Sequence, residues 1–111
     1  MHTRTKSVGI TIRVKEEVAE RDSFDGCPCC VLCGLPAPLY NRLAFSNAHY
    51  ISRAHGGLGV EENILTLCPK CHHRYDHTTD RAILKPFFGR YLKERYPEWD
   101  ESKLVYQKIG G

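Results

Sequence analysis

A chain of 111 residues is enough for one domain and too short to build two separate cores. With 41% hydrophobic and 26% charged residues it reads as a soluble globular chain, and no window approaches the roughly 18 apolar residues of a membrane span. Sixteen basic against thirteen acidic side chains leave a net charge of +3, compatible with a polyanionic partner and too small to establish one.

Along the chain, Val8, Ile10, Ile12 and Val14 alternate with Gly9, Thr11 and Arg13, a period of two that predicts a half-buried strand. KEEVAERD follows as a short helix. The Gly, Pro and Cys content of SFDGCPCCVLCGLPAP argues against any regular element and for a turn-rich metal loop. Residues 45–55 suit one strand of a hairpin, Gly56, Gly57 and Gly59 its turn, and NILTLC the returning strand. CHHRYDH is expected to open a helix. From Asp80, Leu84, Phe87, Phe88, Tyr91 and Leu92 fall on one helical stripe, with Pro86 implying a kink or a fresh start. Pro97 ends that helix, and Trp99, Leu104, Val105 and Tyr106 are expected to fold back over the core. Arg90, Lys93 and Arg95 read as a solvated face of the last helix rather than as a nucleic-acid track.

Six cysteines without an apolar leader in MHTRTKSVGI favour a reducing compartment, so the expected location is cytoplasmic and the cysteines point to metal rather than disulfides. Cys30 and Cys33 frame CVLCG, Cys68 and Cys71 frame CPKC, and each two-residue spacing lets both thiolates of a tight turn face one ion. Four sulfur ligands suit tetrahedral zinc. Cys27 and Cys30 form an alternative pair. Cys30 with Cys33 is preferred because Gly34 permits the bend that aims amide hydrogens at the sulfurs, whereas Pro28 after Cys27 has no amide hydrogen. Cys27 and Cys29 are then spectators. The 34 residues between the pairs, positions 34–67, must contain the hairpin, so zinc would clamp its two ends.

Between the pairs runs NAHYISRAHGGLGVEENILTLCPKCHHRYDH. Taken together, CVLCG, AHYISRAHGG, EEN, LC and CH resemble the HNH family of ββα-metal, or His-Me finger, nucleases over roughly residues 15–78. The flanks are similar to small phage-type HNH proteins. The resemblance implies an α+β fold: a small ββα-metal motif with a structural four-cysteine zinc site, flanked by an N-terminal strand and helix and a C-terminal helix. The corresponding division of the single domain 1–111 is 1–26, a zinc-pinned core 27–78, and a helical extension 79–111.

Carried over by position, His49 matches the first histidine, Asn63 the asparagine and His72 the last histidine. The resemblance makes His49 the general base that activates water, and Asn63 the residue that holds the loop and orients the His49 ring. His72 and Asp76, four apart on a helix, can share one divalent ion, Mg²⁺ or Mn²⁺, that stabilises the departing 3′ oxygen. Nickel or zinc can also occupy such a histidine-containing site in vitro. Where the family often has Asp or His before the general base, this chain has Ala48, so His73, His77, water or DNA phosphate must complete the shell. Arg53 reads equally as a phosphate clamp or a solvated turn residue.

The reading is an endonuclease that hydrolyses DNA phosphodiester bonds, leaving by family analogy a 5′ phosphate and a 3′ hydroxyl. DNA would be held mainly through its phosphates, in a phage packaging or mobile-element setting given by analogy, with no membrane partner. The alternative is a catalytically inactive zinc-binding module for nucleic acid or protein. Target site, RNA cleavage, nicking against double-strand cutting, and oligomeric state stay open.

Overall fold

The computed structural model describes residues 9–106. Among them, helix α1 spans Ile12–Arg21, β1 Ser23–Phe24, β2 Cys27–Pro28, β3 Ser46–His49, β4 Ile64–Leu67, helix α2 Pro69–His77 and helix α3 Arg81–Arg95. Single turns of tighter 3₁₀ helix cover Arg53–His55, Glu61–Asn63 and Glu101–Lys103. The fold is α+β, with β1 pairing β2 and β3 pairing β4, both antiparallel.

The strand expected from Val8 to Val14 is corrected by this structure. Val8 lies outside the described residues, and Ile12 and Val14 belong to α1. Thr11 caps that helix by accepting the Val14 N–H at 3.2 Å, and Arg13 pairs with Glu17 one turn on at 3.2 Å. The period-two run ends at Val14, where a longer stripe of Val14, Val18, Ala19 and Asp22 begins. Its three- and four-residue steps bury Val18, Ala19 and Asp22. The segment 23–28 also holds regular structure where none was expected. Asp25 and Gly26 both take positive φ, so the Asp-Gly dipeptide makes a two-residue turn and closes β1 onto β2.

The central unit is the hairpin β3–β4 with α2 against it. Ser46 stands opposite Leu67 and His49 opposite Ile64, so His49 ends its strand. Beyond it the chain leaves the extended path expected to residue 55 and makes the 3₁₀ turn Arg53–His55. Gly57 is required there by packing: a Cβ on it would lie 1.7 Å from the Ile51 carbonyl oxygen. Tyr75 on α2 is fully buried, donates to the Tyr50 carbonyl at 2.9 Å, and meets Phe88 of α3 edge to face with ring centroids 4.9 Å apart.

Helix α3 runs through Pro86 without a fresh start. Proline leaves the Ala82 carbonyl without its helical donor, and the helix tolerates this because Ala82 and Pro86 both lie on its exposed face, where water can serve. Leu84, Phe88 and Leu92 form the buried stripe, while Phe87, expected among them, is 41% exposed. After the helix, Trp99 donates to the Glu62 carbonyl at 2.9 Å and stacks edge to face on Tyr50, and Val105 bridges to Gly57. The C-terminal fold-back therefore covers the hairpin turn. Among the described residues no helix is long and apolar enough to cross a membrane.

A buried ion pair joins the N-terminal helix to this core. Asp22 accepts from Arg21 Nε and Nη2 at 2.8 Å each, from the Thr66 amide at 3.0 Å, and from the Tyr91 hydroxyl. Arg21 also donates to the carbonyls of Glu61 at 2.8 Å and Ile64 at 2.7 Å. Burial, then the Asp22 carboxylate, push the Tyr91 phenol up to about 12, so it stays a donor. Asp22→Ala would leave the Arg21 charge buried and unpaired, and is expected to destabilise the fold by about 3–5 kcal/mol. Urea unfolding of the variant checks this, and a loss under about 1 kcal/mol would show that the pair is not held as described.

Candidate active site and metal centre

Cys30 and Cys33 come together through a knuckle in which the Cys30 amide donates to the Leu35 carbonyl at 2.9 Å and the Gly34 amide to the Cys30 carbonyl at 2.9 Å. Gly34 holds φ of +81°, a conformation that L side chains rarely adopt, so the bend expected after Cys33 is present there. Cys68 caps α2 with Pro69 at its first position, and one turn on Cys71 faces back to it. The Val31 amide donates to the Thr66 carbonyl at 2.9 Å, which ties the knuckle to β4.

The four sulfurs of Cys30, Cys33, Cys68 and Cys71 lie within 4.8 Å of one another, and those of Cys33 and Cys68 are 3.8 Å apart. A tetrahedron with Zn–S bonds of about 2.3 Å has edges of about 3.8 Å, so the donor set and its spacing fit zinc. Burial disfavours the Cys30 thiolate, but it is outweighed by the amides of Cys33, Cys68 and Leu32, and this thiol is lowered. Burial, then the neighbouring thiols of Cys68 and Cys30, push Cys71 up. A bound dication would offset that cost at Cys71. Among the described residues no other group of three or more His, Cys, Asp or Glu is close enough to share one ion. Cys27 and Cys29 stand apart, their thiols directed at the carbonyls of Ala37 and Cys27 at 3.5 and 3.2 Å.

On the hairpin, beside α2, a cavity of about 390 Å³ is bordered by His49, Arg53, His72 and Asp76 together with Asn47, Ser52, His77 and Arg81. Five residues singled out from the sequence, His77 among them, thus border one hollow. His49 is 8% exposed, at the end of β3. His72 Nε2 and Asp76 Oδ2 are 2.8 Å apart, one helical turn separating the residues. That is the separation of a hydrogen-bonded ion pair, and it also leaves the two atoms close enough to share one divalent ion.

Asn63 does not border the cavity. It is fully buried beneath the loop, where Oδ1 accepts the Ile51 amide at 2.8 Å and Nδ2 donates to the carbonyls of Leu58 at 2.8 Å and Ile51 at 3.2 Å. Its own carbonyl accepts the Tyr50 amide at 2.7 Å. One amide side chain therefore fixes both ends of the turn that follows His49. Ala48 is fully buried in the apolar core, whereas Asn47, two residues from His49 and on the same face of the strand, reaches the cavity.

Sequence reasoning missed Asn47, Ser52 and Arg81. Asn47 was legible from strand alternation with His49. Arg81 had only a weak signal, a basic residue at the start of a helix, where charge of that sign is disfavoured.

No curated protein matches the chain. Residues 30–78 match the family model described as HNH endonuclease. That segment begins at the first clustered cysteine and stops one residue past α2, so it is the same stretch of chain as the hairpin, the helix and the cysteines that pin them. Through residues 30–78, the chain carries a domain of the HNH endonuclease family.

Proposed function

We propose that this protein is a metal-dependent endonuclease that hydrolyses DNA phosphodiester bonds, working as one domain over 1–111 in the cytoplasm. The observation that carries the reading is the convergence of His49, His72, Asp76 and Arg53 on a single cavity beside a cysteine-pinned hairpin. Zinc at Cys30, Cys33, Cys68 and Cys71 is structural in this reading. His49 takes a proton from the attacking water, imidazole being the side chain that changes charge near neutral pH. It stands at a strand end, followed by a turn that Asn63 ties down. His72 and Asp76 hold Mg²⁺ or Mn²⁺, whose positive charge supplies Lewis-acid stabilisation of the leaving 3′ oxygen when bound. Arg53, exposed on the rim, grips a neighbouring phosphate with its planar fork. The products by family analogy are a 5′ phosphate and a 3′ hydroxyl, and the likeness of the flanks to small phage-type proteins gives DNA packaging or a mobile element as the setting.

Plasmid nicking with added Mg²⁺ or Mn²⁺ tests this. Cutting that needs one of these ions and weakens steeply with salt is the expected result. A second reading, a zinc module that binds without cutting, is favoured by one observation: among the described residues no third metal-ligating side chain joins His72 and Asp76. Absence of cutting with any divalent ion, in protein that is folded and holds zinc, would establish that second reading.

A further inference from the structure

Arg81 lies three residues beyond the HNH segment, yet its guanidinium borders the cavity. As the first residue of α3 it places a positive charge at the positive end of the helix, directly after the carboxylate of the N-cap Asp80. What sets Arg81 apart is its tertiary contacts. Here they run to both halves of the candidate site. Nη2 donates to the carbonyl of Tyr50, the residue directly after His49, at 2.9 Å. Nη1 donates to Asp76 Oδ1 at 3.2 Å and to the Tyr75 carbonyl at 3.4 Å. The guanidinium carbon lies 4.1 Å from the centre of the fully buried Tyr75 ring, which fixes the plane of the fork. The other oxygen of Asp76 faces His72 Nε2 at 2.8 Å.

We infer that Arg81 is a positioning residue for cleavage, a planar brace that holds the strand end carrying His49 at a set distance from the helix carrying His72 and Asp76. The bond to the Tyr50 carbonyl anchors one side of the gap and the bond to Asp76 the other. By occupying Oδ1, Arg81 turns Oδ2 toward His72, so the two prospective metal ligands are aligned before an ion arrives. The link to cleavage rests on the nuclease reading above; the brace itself does not. Lysine cannot replace it, because one ammonium on a flexible stem lacks the flat fork that reaches two acceptors while lying on a ring.

The test compares wild type, Arg81→Ala, Arg81→Lys and, as a control on the exposed face of the same helix, Arg90→Ala. Plasmid nicking is measured with Mn²⁺, alongside thermal melting and long-range ¹H–¹⁵N spectra of the His49 and His72 rings in metal-free protein. Loss of partners that orient ligands costs about 10- to 100-fold in activity, so Arg81→Ala and Arg81→Lys are each expected to lower kcat by that factor with KM changed less than about threefold. Guanidinium ion at low millimolar concentration should partly restore Arg81→Ala, since it fits the slot over Tyr75, and should do nothing for Arg90→Ala. Full activity in Arg81→Lys would show that charge alone suffices and overturn the brace, as would a loss that follows melting temperature and resists guanidinium. If wild type cuts nothing, the nuclease reading fails by itself and the spectra decide: concerted shifts of both rings in Arg81→Ala support the brace, and a shift confined to His72 or none at all refutes it.

Discussion

His49→Ala is expected to lower the nicking rate by about 10²–10⁴-fold, the range general-base catalysis supplies, while the domain still melts cooperatively and keeps its zinc content. The separation of effects follows from position. His49 ends its strand opposite Ile64 and borders the cavity, whereas the core beside it is made by Ala48, Tyr50, Leu65 and Leu67. Removing the ring takes away the proton acceptor and, because His49 is 8% exposed, some packing as well, whereas the four cysteines lie outside that contact. Supercoiled plasmid scored for nicked and linear forms, with saturating Mn²⁺, gives the rate. Cutting by His49→Ala at the wild-type rate would falsify the assignment of the base and leave the fold untouched.

Removal of the metal at the four cysteines is expected to unfold the domain rather than merely silence it. Binding at a structural zinc site supplies on the order of 10 kcal/mol, comparable to the whole stability of a small domain, about 5–15 kcal/mol. The four sulfurs join the knuckle before the hairpin to the helix after it, and Cys30, Cys68 and Cys71 are themselves buried in the core with Leu67 and Leu84. Empty, the site would leave buried thiols that repel each other's ionisation. One zinc per chain is expected by elemental analysis, with loss of the cooperative melt after exhaustive chelation or in Cys71→Ala. Cys27→Ser and Cys29→Ser should keep both zinc and melt. An unchanged melting curve after chelation would mean that the apolar cluster is sufficient alone.

The two effects bear on different parts of one design. The cysteine pins hold the hairpin and α2 together, and the hairpin end and α2 each bring half of the cavity's chemistry. A metal held by those cysteines would keep the two elements in register.

What the residues settled alone is whatever depends on short spacing. Cys-x-x-Cys brings two thiols to one turn, His72 and Asp76 meet because a helix repeats every 3.6 residues, and the β-friendly Ile64, Thr66 and Leu67 of NILTLC make a strand after a glycine-rich turn. Those rules act within a few residues, so HNH likeness, cysteine clustering and the ββα order were readable in the chain. The helical identity of residues 12–14, the exposure of Phe87, the burial of Ala48 and the Arg21–Asp22 link were not. Each depends on which distant surface the segment meets: Asp22 on Thr66 and Tyr91, Tyr50 on Arg81 across 31 positions. Such pairings carry no periodic signature, because burial and charge pairing are decided only when the whole chain has closed around its core.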